Sequence, residues 1–150
     1  MVRQLQPWYE NIGKRQVKSP KIYLTDSGIL HALLNIGNDH NLYGHPRVGA
    51  SWEGFALNQL MQIVRPSQAY FWSTYTGAEL DLFLLHKGRR LGVEFKFNES
   101  PKVTKSMHIV LNDLKIDQLF VIYPGPYRYP ADEKISVWPL KQLKDLSKQF

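Results

Sequence analysis

The sequence predicts a mixed α/β fold in which helices flank a central mixed β-sheet. Three observations carry this. Apolar residues recur at helical spacing over 52–64, three β-type runs follow with short turn signals between them, and a further helical stretch separates the third run from a fourth. A helix between two strands allows a parallel crossover, whereas runs joined by short turns pair as antiparallel hairpins. With 43% hydrophobic and 13% aromatic residues in 150, the chain has enough apolar surface for one packed domain and a small appendage.

The elements follow in order. Residues 21–24 form a short strand, after which Thr25-Asp26-Ser27-Gly28 offers caps for a helix over 29–34, so the chain opens with a strand-helix segment. Asp26 reads as an N-cap. The Gly-, Asn-, His- and Pro-rich stretch 38–49 reads as a loop or linker. Ser51 is positioned to cap the helix at 52–64, whose apolar face comprises Trp52, Phe55, Ala56, Leu60, Ile63 and Val64, and Pro66 stops it. Strands are expected at 69–75, 79–86 and 90–97, with Lys87-Gly88-Arg89 as a hairpin turn between the last two. A helix opens near Pro101 and runs to about Leu114, a strand covers 118–123 and ends at Pro124-Gly125-Pro126, and a short strand at 135–138 precedes a closing helix at 140–146. From residue 51 the order is α-β-β-β-α-β-β-α.

Composition narrows the function classes. There is no cysteine, hence no disulfide framework and no thiolate metal site, and the five histidines lack zinc-site spacing. No apolar run reaches the ~18 residues of a membrane span, and residues 1–10 lack a signal-peptide layout, so a cytoplasmic location without membrane partners is expected. The net charge of +6 permits contact with phosphate backbones, although a solvated lysine-rich surface gives the same number. One basic group, Arg89, Arg90, Lys102 and Lys105, flanks the acidic residues in sequence and is the candidate nucleic-acid contact set. Cations at the start of a helix oppose its dipole, a cost that a bound phosphate offsets.

The chemistry-bearing residues are carboxylates that interrupt apolar strands. Asp81 lies in Leu80-Asp81-Leu82-Phe83-Leu84-Leu85, where a charge is costly unless it is paired or binds a cation. In Val93-Glu94-Phe95-Lys96-Phe97 the alternation of a strand puts Glu94 and Lys96 on one face and Val93, Phe95 and Phe97 on the other, toward the core. The turn at 87–89 lies midway between Asp81 and Glu94, so the hairpin brings them together. Two carboxylates so held repel unless a cation or proton intervenes. Oxygen ligands of this kind suit Mg²⁺ or Mn²⁺, and a neighbouring lysine can orient a water or stabilise a phosphoryl oxygen. An ion pair of Lys96 with Asp81 or Glu94, with no metal, is the competing arrangement. Glu53, early on the helix before the three strands, is either a fourth participant or a carboxylate favouring the helix dipole.

Asp81, Glu94-x-Lys96 and the preceding helical Glu53, in this element order, resemble the PD-(D/E)xK nuclease superfamily. The phrases Pro20-Lys21-Ile22-Tyr23-Leu24-Thr25-Asp26-Ser27-Gly28, Gly49-Ala50-Ser51-Trp52-Glu53-Gly54-Phe55 and Gly77-Ala78-Glu79-Leu80-Asp81-Leu82 resemble the DUF4143 domain, the C-terminal part of many bacterial and archaeal AAA-type ATPases, over nearly the whole chain. The resemblance implies a restriction-endonuclease-like fold over 48–150, preceded at 1–47 by the tail of a connecting segment. It makes Glu53, Asp81 and Glu94 metal ligands for Mg²⁺ or Mn²⁺ and Lys96 the catalytic lysine. DNA is the expected partner, with self-association possible. No Gly-x-x-x-x-Gly-Lys-Ser/Thr phosphate loop occurs in these residues, so the ATPase domain itself is not here and the chain is expected to be a fragment or a stand-alone remnant. A catalytically inactive DNA- or protein-docking module is the alternative the resemblance leaves open.

Overall fold

A computed structural model describes residues 1–150. The elements are β1 (Val2–Pro7), β2 (Lys21–Leu24), α1 (Ser27–Leu33), α2 (Asp39–Tyr43), α3 (Val48–Val64), β3 (Gln68–Ser73), β4 (Glu79–His86), β5 (Arg89–Phe95), α4 (Lys105–Asp113), β6 (Gln118–Tyr123), β7 (Tyr129–Asp132), β8 (Ile135–Pro139) and α5 (Leu143–Leu146). The eight strands form one mixed sheet in the order β2-β1-β3-β4-β5-β6-β8-β7, accompanied by five helices. No helix is long and apolar enough to cross a membrane.

The centre of the sheet follows from local chemistry. Lys87 (φ 50°) and Gly88 (φ 76°) both take left-handed conformations between the paired residues His86 and Arg89, the two-residue turn whose twist matches that of a β-hairpin. β4 and β5 therefore pair antiparallel, with Leu82 against Val93 and Leu84 against Leu91. After β5 the chain crosses over through α4, and β6 joins β5 in parallel, as β8 then joins β6. α3, α5 and the C-terminal Phe150 cover one layer with Leu82, Leu84, Leu91, Val93 and Phe95, while α4 covers the other with Trp72, Leu80, Phe83, Leu119 and Val121. Gly92 lets the α4-covered layer close on the sheet: a Cβ there would stand 2.8 Å from Leu119 Cδ1 and 3.2 Å from Leu80 Cδ1.

Several expectations are corrected. The stretch read as a loop at 38–49 contains α2, because the Asn38 side chain accepts from Asn41 N and caps a short helix. α3 begins at Val48 rather than beyond Ser51, and Ser51 is buried and bonded to His31 Nε2 at 2.6 Å instead of capping. Its buried face is also rotated: Gly54, Leu57 and Asn58 are inside with Ala56 and Leu60, and Phe55 and Ile63 are exposed. α4 starts at Lys105, four residues after Pro101, because Thr104 supplies the cap by accepting from Met107 N. Phe97 is exposed, outside both core layers. Strands β1 and β7 lay outside the reading altogether. β1 buries only Leu5 and β7 contains Pro130, so neither shows the apolar alternation of an inner strand. Asp26 caps α1 as expected, accepting from Gly28 N and Ile29 N.

The close approach at Gly92 gives a direct test. Gly92→Val forces branched carbons into the Leu80 and Leu119 side chains, and chemical denaturation should show a loss of about 1–3 kcal/mol with the unfolding slope unchanged.

Candidate functional site

The hairpin places the two inner carboxylates. The ladder ends at the pair Leu82 and Val93, and Asp81 and Glu94 follow immediately beyond it on the two strands, each only 3% exposed. The β3–β4 pairing passes from Tyr70–Phe83 to Trp72–Leu80, so Asp81 and Leu82 together stand against Phe71. This bulge breaks the alternation: Leu80 and Leu82, two residues apart, pack in opposite core layers. Asp81 sits at the point of reversal, where its Oδ2 accepts from Phe95 N at 2.9 Å. Glu94 Oε2 pairs with Lys96 Nζ at 2.9 Å, as the alternation of β5 requires, and Lys96 keeps 37% of its side-chain surface exposed. Glu53 reaches the cluster from α3, with its Oε1 accepting from Tyr23 OH at 3.3 Å.

Burial and mutual repulsion set the electrostatics. Burial, then the charge of Asp81, pushes Glu94 up to about 8 from an ordinary 4.5. The same two causes push Glu53 up to about 7, against the opposing charges of Lys21 and Lys96 and the Tyr23 hydrogen bond. Asp81 is raised as well, chiefly by burial, with the Phe95 N–H, Lys96 and Lys21 working the other way. For Lys96, burial pulls downward, but Glu94 and Asp81 outweigh it and its affinity for the proton rises. The 2.9 Å pair needs an ionised Glu94, whereas burial favours a protonated one. Both hold if the three carboxylates share a proton as a group, which is how strongly interacting sites titrate.

The expected site residues divide. Glu53, Asp81, Glu94 and Lys96 come together. Lys102 and Lys105 stand at the same end of the sheet, since Ser106 Oγ accepts from Glu79 N and donates to Glu79 O at the start of β4. Arg89 and Arg90 do not flank the acidic cluster: they lie at the other end of β5, roughly 13 Å along the strand from Glu94 for Arg90. Their side chains are engaged in structure. Arg89 donates to Gln149 O, and Arg90 pairs with Glu10, donates to Leu114 O and stacks over Phe83. Two residues that the sequence reading passed over join the site, Tyr23 and Lys21. Their spacing of two on β2 puts them on one face, a signal that was available.

The donor chemistry fits a hard divalent cation. Oxygen is the only donor type among the acids, and three carboxylates face two lysines. Mg²⁺ commonly takes one or two carboxylates and fills its shell with water and phosphate. The arrangement is not a closed cage: no group of three acidic or imidazole side chains is placed to hold a metal ion, and no buried side-chain polar atom lacks a hydrogen-bond partner. Asp81 and Glu94 are thus the two side chains that could hold such an ion, and Lys96 competes for Glu94.

Comparison with known proteins follows this geometry. Residues 48–143 match the family described as Domain of unknown function (DUF4143). The chain belongs to this family. Residues 1–40 match a second one, Domain of unknown function (DUF8612), so the phrase Pro20–Gly28 lies outside the DUF4143 match. Uncharacterised proteins of Mycobacterium tuberculosis and Mycobacterium bovis are each 45% identical over 143 residues, covering 95% of this chain and 32% of their own length. The chain therefore spans about a third of the curated relatives it matches. A crystal structure of a protein from Vibrio cholerae aligns with TM-score 0.39 at 13% identity, over 75% of this chain and 35% of that one, a likeness too low to carry an argument. Within the DUF4143 segment lie all four clustered residues, Glu53, Asp81, Glu94 and Lys96, while Tyr23 and Lys21 come from the segment that matches DUF8612.

Raised carboxyl values have a signed consequence. Glu53 and Glu94 bind protons more tightly folded than unfolded, so their contribution to stability is fully present below about pH 4.5 and is lost as pH rises through 7 and 8. Melting temperature at fixed ionic strength and without divalent ions should fall from pH 5 to pH 8.5. Glu94→Gln, which relieves the repulsion, should flatten that fall, and an unchanged slope would refute the shared-proton account.

Proposed function

We propose that the DUF4143 segment is a restriction-endonuclease-like, Mg²⁺- or Mn²⁺-dependent phosphodiesterase domain acting on DNA. The observation that carries this reading is the buried pair Asp81 and Glu94, close together at one end of a hairpin with Lys96 beside them and too few cations to neutralise the cluster. Asp81 and Glu94 would hold the metal ion, with Glu53 contributing through water. When bound, such an ion polarises a phosphoryl oxygen and makes an attached water easier to deprotonate. The half-exposed Lys96 ammonium is placed to orient a water or to neutralise charge on a phosphoryl oxygen. Lys102 and Lys105, both exposed, would track the nucleic-acid backbone with little sequence readout. Arg89 and Arg90 take no part in this reading because their partners are structural. By the family resemblance, this domain would work beside an AAA-type ATPase domain in the cytoplasm.

A second reading has its own observation. Glu94 is already paired with Lys96 and three ligands do not converge, which favours a nuclease fold retained as a DNA- or protein-docking module for an ATPase.

Cleavage of supercoiled, linear and branched DNA in Mg²⁺ or Mn²⁺ separates the two. The nuclease reading expects metal-dependent cleavage that falls at least about 100-fold in Asp81→Asn and in Lys96→Ala. Equal cleavage by wild type and Asp81→Asn would sink it. Salt-sensitive DNA binding without cleavage or metal dependence is the outcome expected of the docking module.

A further inference from the structure

The outermost hairpin of the sheet reaches the acidic cluster. Tyr23 donates to Glu53, and its ring lies over Gly54, where a Cβ would sit 3.4 Å from Tyr23 Cδ1. A glycine beside the carboxylate thus makes room for the tyrosine. Asn58, one turn further along α3, clasps both hairpin strands: its Nδ2 donates to Leu24 O at 3.2 Å and its Oδ1 accepts from Arg3 Nε at 2.8 Å. Lys21, on the same face of β2 as Tyr23, carries its ammonium 5.1 Å from the centre of the Phe71 ring, and Phe71 is the residue that faces the Asp81 bulge.

We infer that this hairpin is a working part of the acidic site: Tyr23 is a positioning residue for the Glu53 carboxylate, Lys21 supplies the second cation, and the site is complete only while β2 is docked on α3. The inference rests on the reading of the cluster as a metal-binding site and extends it to regulation. β2 is the lightly held strand, whereas the connection after β1 is pinned to the sheet by Trp8 N on Phe71 O, Val17 N on Ser73 O, Trp72 Nε1 on Gln16 and the Arg90–Glu10 pair. β2 pairs only with β1, and β1 joins β3 through two residue pairs, Gln6–Tyr70 and Pro7–Phe71. A pull or a competing contact on β2 would take Tyr23 and Lys21 away from the carboxylates while the residues before it stay anchored to the sheet and the β4–β5 hairpin stays folded. The segment that matches one family would thereby gate the site of the other.

The test uses the full chain as wild type, Tyr23→Phe, Lys21→Gln and the exposed control Tyr9→Phe. Tyr23→Phe keeps the ring on Gly54 and removes only the hydroxyl. The first readout is the carboxyl carbon signal of Glu53 in labelled protein at pH 8 without metal, assigned through Glu53→Gln. It should move in Tyr23→Phe and stay in Tyr9→Phe, with equal melting temperatures. The second readout is Mn²⁺ titration, in which Tyr23→Phe should bind about tenfold more weakly and Lys21→Gln, which removes a competing positive charge, about tenfold more tightly. An unmoved Glu53 signal in Tyr23→Phe overturns the positioning role whatever the metal does. A moved signal with wild-type Mn²⁺ affinity in both variants overturns the hairpin's part in the site. A moved signal with no Mn²⁺ binding by the wild type supports the positioning and defeats the metal-site reading instead.

Discussion

Two carboxylates buried side by side on one hairpin are the condition to which the rest of the molecule answers. A buried charge costs several kcal/mol unless it is paired, and a second of the same sign beside it raises that cost. The register of β4 and β5, fixed by the left-handed turn at Lys87 and Gly88, carries Asp81 and Glu94 to the same end of the hairpin, just beyond the pair Leu82 and Val93. What surrounds them reduces the cost in steps: a backbone N–H from Phe95 to Asp81, the Lys96 ammonium on Glu94, and Lys21 at the rim. These do not complete the compensation, as the upward shifts of all three carboxyls record. A protein that needed only stability would replace Asp81 with a leucine like its neighbours. An arrangement that stays short of neutral is poised to take up a cation or a proton.

The inner sheet was legible because burial writes itself into alternation. Strands β3 to β6 and β8, the hairpin turn and helices α3, α4 and α5 were expected within a few residues of where they lie. The pairing of Glu94 with Lys96 on one face followed from the strand period alone. What lay beyond reach has a common cause, the absence of apolar periodicity. β1 has one buried residue, β7 is an edge strand with a proline, and α2 buries none. The bulge at Asp81 was hidden for a different reason: in a run as apolar as Leu80 to Leu85 either face can be inner, so nothing in the residue types marks where the alternation reverses. Arg90 misled because a basic residue near an acidic motif in sequence can be four residues along a strand in space, aimed at Glu10 instead.

The two family matches meet inside one sheet. Residues 1–40 give β1 and β2, residues 48–143 give the other strands, and the seam between them passes Glu53. Asn58 and Gly54 show how α3 is shaped for that seam, one by its two hydrogen bonds and the other by what it lacks. A cluster divided in this way ties the surroundings of Glu53 to the placement of the N-terminal segment.

The two rims of the sheet have a consequence for how such a unit survives within larger proteins. One rim is β7, where Pro130 withholds an N–H from any approaching strand, and the other is β2, four residues long with Pro20 just before it. Short, proline-marked rims are poor templates for a foreign strand, so the sheet resists growing by edge addition into aggregates. Such a unit can be carried on chains of different length and sequence without becoming sticky, which is what a domain joined to other domains requires.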